Sequence, residues 1–442
     1  MPRMLQSAED IHQLPPHLPR KLSISFWLWN YFYSATPGDT FHDLEKRVIE
    51  LKERKFNTIR LDAGIGLCFT PEGKPRGEIV LHEPFRGFSS RIRQMNGRGG
   101  TCDVVQKLLE LFELAKKHDV YVIMSSWFYL HTFWFADETI NNDMFRMPVG
   151  ERLMHMAREF GWLIALIKER DLHSQIAFIE VANECDGSPF HFYCDANPGS
   201  PEQQRHGFRE LHETALASLR QQHPDLLFAC DTSNSKPHPD LLPGNMQLWN
   251  HHMYYMWDLY FDSFEAGIRG RDFDPDGLRE SSVISPFLRE DAITMEAIRR
   301  SAGDNPRVAE GWYRRVWLYN NTDVAKLGNL DRWYAALLSE RVEEFKDAAE
   351  RGINRVVALR NQQFPGLPLV LGEAVSYCTH TGLRFEEQSD DYWQLLEHTT
   401  HLLKKAGYWG YMPRTHSGPE DPGWAECADR FRYLNGLFLE DT

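Results

Sequence analysis

No stretch of this sequence reaches the ~18 consecutive apolar residues of a membrane-spanning helix. Its first residues also lack the apolar run of a secretion signal, because Glu9, Asp10 and the Pro15-Pro16 pair interrupt it. Basic clusters are missing as well. With a formal net charge of −14 and no Lys/Arg-rich segment interleaved with aromatics, nucleic acid is not an expected partner. Cysteine is sparse and scattered: 7 residues, at positions 68, 102, 185, 194, 230, 378 and 427, without a CxxC or zinc-ligand spacing. That usage fits reduced thiols, and together these absences give the expectation of a cytoplasmic protein with no membrane partner. Phosphate and dinucleotide fingerprints are absent too. Gly64 and Gly66 make a GxG without its third glycine, and the patch Gly97, Gly99, Gly100 is not followed by Lys-Ser/Thr, so no cofactor is expected. No His-x-His follows a strand. His398 and His401 read as a solvated pair on the last helix, and no metal is expected.

What is present is ample chain and abundant aromatics. The 442 residues are 42% hydrophobic and 25% charged, enough for one large core, and the 13 Trp serve equally well as core or as sugar-stacking platforms. Short apolar runs alternate with helical periodicity along the chain. Strands are expected at Lys21 to Tyr31, Phe56 to Asp62, Val120 to Ser126, Ile176 to Glu184, Leu226 to Cys230 (followed by Asp231) and Met246 to Tyr255. After a helix from about Arg341 to Asn361 come Leu367 to Glu373 and Gly407 to Tyr411. Eight strands alternating with helices predict a (β/α)8 TIM barrel occupying residues 1–442 as one domain. Residues 1–20 would be a lead-in, and about 256–338 a long lid-like insertion after the sixth strand.

The fourth of these runs, IAFIEVANE, is the stretch on which the reading turns. It is mostly apolar, Glu180 apart, until it ends on Asn183-Glu184, and the seventh, LPLVLGE, likewise ends on Glu373. Parallel barrels place chemistry at the carboxyl ends of their strands. Two carboxyls from two such ends suit hydrolysis of a glycosidic bond, which needs one as acid and another facing the anomeric carbon. Asn-Glu and Gly-Glu dipeptides also occur simply as helix caps, and spacing alone leaves both readings open.

Residues 178–184, FIEVANE, resemble the fourth-strand signature of the cellulase-type glycoside hydrolases of clan A, family 5 above all. Gly372-Glu373 resembles that clan's seventh-strand nucleophile motif. Arg60 in NTIRL, His252-Met253-Tyr254 and Trp409 resemble its second-, sixth- and eighth-strand residues, in the clan's order and over about residues 22–412. More narrowly, the chain is similar to the sugar-binding cellulase-like group. The resemblance implies Glu184 as general acid/base and Glu373 as nucleophile, with Arg60 and Tyr254 hydrogen-bonding Glu373 to favour its charged form. It further implies Asn183 on the sugar 2-hydroxyl, His252 near Glu184, and Trp409 flooring the cleaved sugar's subsite.

Trp127 and Trp29, beside strand ends, are the platforms favoured for sugar contact, while Trp134, Trp249 and Trp257 read as packing. Glu180 shares parity with Glu184 and is expected to be structural, pairing with Arg60. Cys185 stands where the family has Pro, and without a partner base it reads as a packing residue. Ser125, Ser126 and Trp127 occupy the third-strand end where the family has histidine. The expected activity is a retaining β-glycoside hydrolase acting on short oligosaccharides or small β-glycosides. The alternatives are a sugar-binding protein without turnover, or a transglycosidase, on the same barrel.

Overall fold

A computed structural model of the chain describes residues 14–82, 99–129, 135–233, 237–256, 279–280, 285–292, 294, 321–375 and 380–440. Eight parallel strands close a barrel in chain order: β1 (Leu22–Leu28), β2 (Thr58–Asp62), β3 (Tyr121–Ser125), β4 (Ile176–Glu180), β5 (Phe228–Thr232), β6 (Leu248–Met253), β7 (Leu369–Ala374) and β8 (Gly410–Tyr411). The expected (β/α)8 architecture is therefore the one observed. An antiparallel hairpin, Glu78–Leu81 with Gly100–Asp103, stands outside it.

Helices sheathe the barrel because each carries one apolar stripe. In α1 (Leu44–Glu53) the stripe is Leu44, Val48 and Leu51, and the helix starts where Asp43 accepts from the Lys46 amide. The stripe of α2 (Val104–His118) includes Leu108, Leu111, Phe112 and Ala115. Each such side chain contributes ~1.5–3 kcal/mol when fully buried. The helices α3 (Val149–Glu169) and α4 (Pro201–Gln222) follow β3 and β4, the latter opened by a Ser200–Gln203 capping box. Between β5 and β6 the only helical piece among the described residues is a 3₁₀ turn, Pro239–Leu241.

Helix α5 (Leu327–Gln363) begins well before the Arg341 expected from sequence. The reason is periodic: Leu330, Tyr334 and Leu338 continue the buried face of Phe345, Ala349 and Ile353 at four- and seven-residue steps. The rest of the stretch expected to form a lid lies mostly outside the described residues. The barrel is completed by α6 (Asp390–Lys405) and α7 (Ala428–Leu439).

Three register shifts interrupt the barrel ladder, one of them at Ala177 between β3 and β4. In β7, Asn250 pairs with Val370 and His251 with Leu371, but His252 pairs with Glu373, so Gly372 is an extra residue in the ladder. Parity alone would turn Glu373 out toward the helices. The bulge returns it to the interior beside His252. Only glycine fits there, because a Cβ at position 372 would overlap the Asn250 side-chain amide. A second shift follows in β1, where Phe26 pairs with Arg60 but Leu28, not Trp27, pairs with Leu61.

At the opposite end, the N-terminal segment crosses the barrel floor. The Pro19 carbonyl accepts from the Trp409 indole at 3.0 Å, and the His17 carbonyl from the Tyr121 hydroxyl, also at 3.0 Å.

The variant Gly372→Ala is expected to lose about 1–3 kcal/mol through overpacking, read as a lowered thermal or urea midpoint. A midpoint equal to wild type would show that the bulge does not depend on the missing side chain.

Candidate active site

The carboxyl-terminal mouth of the barrel is built around Arg60, fully buried at the middle of β2. Its Nη1 donates to Glu373 Oε1 at 2.7 Å, and its Nη2 to Glu180 Oε2 at 2.9 Å, Asn183 Oδ1 at 2.8 Å and Asp231 Oδ2 at 3.0 Å. The expected pairing of Arg60 with Glu180 is present. The face of the guanidinium lies over the Trp127 ring, 4.7 Å from its centroid.

Glu184 follows β4 with a left-handed backbone, φ 46°, which a non-glycine residue adopts only when its surroundings impose it. Here the imposing contact is Asp231, whose Oδ2 accepts from the Glu184 amide at 2.9 Å. The side chain meets His252 Nδ1 through Oε1 at 2.8 Å and is 29% exposed, the open carboxyl of the pair. Glu373 is more enclosed, at 6%, and its second oxygen accepts from the Tyr254 hydroxyl.

His252 joins these groups. Its Nε2 lies 3.2 Å from Asp231 Oδ1 and 3.6 Å from Glu373 Oε1, while Nδ1 holds Glu184. Burial alone would depress its pKa, but Asp231 first and Glu373 next drive it well above the ordinary imidazole value, which favours the protonated ring. Burial likewise works against the Asp231 carboxylate, yet His252 and Arg60 hold that group below the usual range. Glu184 moves the other way: desolvation raises it against the lowering bond from His252, and the Glu373 and Asp231 charges raise it further. Glu180 is raised by burial in spite of Arg60. Arg60 and His252 thus face four carboxyls, and burial favours retaining protons on the two that it raises, Glu180 and Glu184.

The structure thus brings together Arg60, Asn183, Glu184, His252, Tyr254, Glu373 and Trp127. Asn183 spends its amide internally, with Oδ1 on Arg60 and Nδ2 on the Tyr129 hydroxyl at 3.0 Å.

Three aromatic expectations need correction. Trp409 precedes β8, with its amide on Leu369 and its carbonyl on Leu22, both at strand starts. It therefore plugs the amino-terminal floor against Phe178 and Pro19, about 13 Å of strand from Glu373, and cannot floor a subsite. Trp29 is wholly buried and edge-on to Phe135, with no face left for a sugar. Trp127 does belong to the site, but its ring is 97% covered and its face is spent on Arg60. Trp134 and Trp257 lie outside the described residues.

Residues matched by the family model described as "Cellulase-like: Sugar-binding cellulase-like" run from 24 to 266, more than half the chain. The chain belongs to the sugar-binding cellulase-like family. The match takes in every cellulase-like site residue from Arg60 to Tyr254 and stops short of Glu373. No curated protein matches. Among solved structures, a protein from Parabacteroides distasonis provisionally named a glycoside hydrolase is 17% identical, over 95% of this chain and 94% of that one, with a TM-score of 0.64. A GH5-4 broad-specificity endoglucanase from Clostridium acetobutylicum is 13% identical over 99% and 100%, with a TM-score of 0.46.

Asp231 was missed by the sequence reading, although its signal is the one that exposed Glu373: an apolar run ending on an acid. Asn250 and Tyr129 carried no signal. The family's third-strand histidine has no counterpart here, and Trp127 holds that stretch against the guanidinium.

No helix among the described residues is long and apolar enough to cross a membrane, and the six described cysteines carry free thiols.

The charge network sets a pH window. The His252 contribution is complete below its unfolded value of about 6.5 and is lost as pH rises through the raised folded value. The Asp231 contribution is present above an unfolded value of about 3.9 and is lost as pH falls through the depressed folded one. The variant Asp231→Asn leaves His252 and Arg60 undercompensated. It should cost about 3–5 kcal/mol near neutrality in urea unfolding and lower the His252 pKa measured by NMR. An unchanged His252 titration would refute the pairing.

Proposed function

We propose that this chain is a retaining β-glycoside hydrolase, with Glu184 as general acid/base and Glu373 as nucleophile. The carrying observation is the contrast between two carboxyls that share one imidazolium. Glu184 is partly open and raised by burial, which keeps a proton available. Glu373 is enclosed, with one oxygen on a guanidinium and the other on a phenol, which fixes its direction of attack.

In the first step a Glu373 oxygen bonds to the anomeric carbon as the glycosidic C–O bond breaks, and the Glu184 proton passes to the leaving oxygen. Esterification removes the Glu373 charge, one of the influences holding the Glu184 pKa up. Glu184 then has the lower pKa a base requires. It takes a proton from water as that water's oxygen attacks the anomeric carbon and Glu373 departs. Through the cycle, Asp231 fixes the Glu184 backbone and His252 holds its carboxyl.

Short oligosaccharides or small β-glycosides are the proposed substrates. That choice rests on the length of the stretch after β6, which can wall a pocket, and on sequence alone. A second reading, a sugar-binding protein without turnover, draws on the family's own description. A matched acid and nucleophile favours catalysis.

Initial rates on aryl β-glycosides (glucoside, mannoside, galactoside, xyloside, fucoside, cellobioside) distinguish the two. Glu184→Ala should lose about 10²–10⁴-fold, least with the most acidic phenol leaving groups. Glu373→Ala should abolish turnover, and the wild-type product should first appear by NMR as the β anomer. Activity surviving in Glu373→Ala would refute the nucleophile assignment, and sugar binding without turnover in wild type would favour the second reading.

A separate consequence concerns protonation. In Glu373→Gln the raising influence on Glu184 is gone, so the Glu184 pKa should fall relative to wild type in a carboxyl-carbon NMR titration. A rise would contradict the proposed proton cycle.

A further inference from the structure

Behind the site, on the outer side of the same two strands, lies a cluster that the mechanism does not use. Cys185 directly follows Glu184, and Cys230 directly precedes Asp231. Asp231 faces Arg60 inside the barrel, so alternation turns Cys230 outward toward the helices. There it meets Cys185, Sγ to Sγ at 3.6 Å, and His212 from the buried face of α4. The ligating atoms of all three lie within 4.8 Å of one another, and all three residues are buried.

A second observation points to a ligand. His212 is 1% exposed, yet neither ring nitrogen has a hydrogen-bond partner. Buried polar atoms without a partner are rare, and an unplaced ion or water is a standard reason for one.

The spacing fits a cation. Two thiolates at ~2.3 Å from a tetrahedral metal stand about 3.8 Å apart, close to the separation seen. Two thiolates with one imidazole form a donor set that selects zinc or copper(I) over magnesium or calcium. Two thiolate charges also cancel those of zinc, leaving no net charge behind the active site.

We propose that Cys185, Cys230 and His212 form a buried structural site for a thiophilic cation, zinc or copper(I), which ties the ends of β4 and β5 and the inner face of α4 behind Glu184 and Asp231. The cation displaces both thiol protons to solvent as it binds, and no oxidant or reductant is involved. Because the site is closed, it fills during folding.

The test uses the full chain, expressed in medium supplemented with zinc and, separately, with copper, then purified under reducing conditions without chelator. Elemental analysis should find one zinc or copper ion per chain, and which metal is retained identifies the cation. Cys230→Ser and His212→Asn, checked as folded by circular dichroism, should each lose most of it. If these variants fail to fold, X-ray absorption at the metal edge of the wild type decides. Two sulfur neighbours at ~2.3 Å support the site, and a shell of oxygen only overturns it. Folded wild type without metal overturns it too, as would full metal content in Cys230→Ser or a Cys185–Cys230 disulfide found by mass spectrometry.

Discussion

Burying a guanidinium beyond the reach of water costs several kcal/mol unless its donors and charge are met, and Arg60 meets that demand with groups from four parts of the barrel. Glu180 comes from β4, Asn183 from the loop after it, Asp231 from β5 and Glu373 from β7. Each is held there by its own strand, so the arginine is satisfied only when the barrel is closed in the observed register. A slip of one residue in any of these strands would turn its acid toward the helices and strand a charge in the core. Fold and site therefore depend on the same ion, and the interior layer that would otherwise be aliphatic carries the candidate site.

That dependence explains what could be read in advance. Strand ends carrying Glu184 and Glu373 stood out because apolar runs that stop on a charged or amide group are conspicuous, and Arg60 because the order of the motifs matched a known family. Asp231 ended a similar run, but a lone acid after a short strand looks the same as a helix cap. Trp409 was misplaced for a different reason. In GYWGY nothing local says which residues pair, and β8 turned out to consist of the last two, which leaves the indole at the floor. The Gly372 bulge was invisible because it is a relation between two strands, and the cluster of Cys185, His212 and Cys230 because its members are separated by a whole helix.

The two carboxyls are unlike because of where the positive charges sit. Arg60 touches Glu373 and not Glu184 in the described contacts, whereas His252 reaches both, holding Glu184 more closely than Glu373. Asp231 draws on the same two groups and so competes with Glu373 for them. This competition ties the site's protonation to the end of β5, a strand that supplies no reacting group. A substitution there would alter catalysis without touching substrate.

The short last strand has a consequence for how the molecule comes apart. β8 shares two register pairs with β1 and two with β7, whereas β2 and β3 share five. Pairing is thus thin on both sides of β8, where the chain's beginning meets its end, as it also is between β4 and β5, and the Trp409–Pro19 contact serves as a latch across that seam. Local opening will start there, with the amides of β8 exchanging with solvent before those of β2 and β3. β7, which carries Glu373, borders that seam, whereas β4 and β5 lie round the ring from it, so the closure breathes beside Glu373 and away from Glu180 and Asp231.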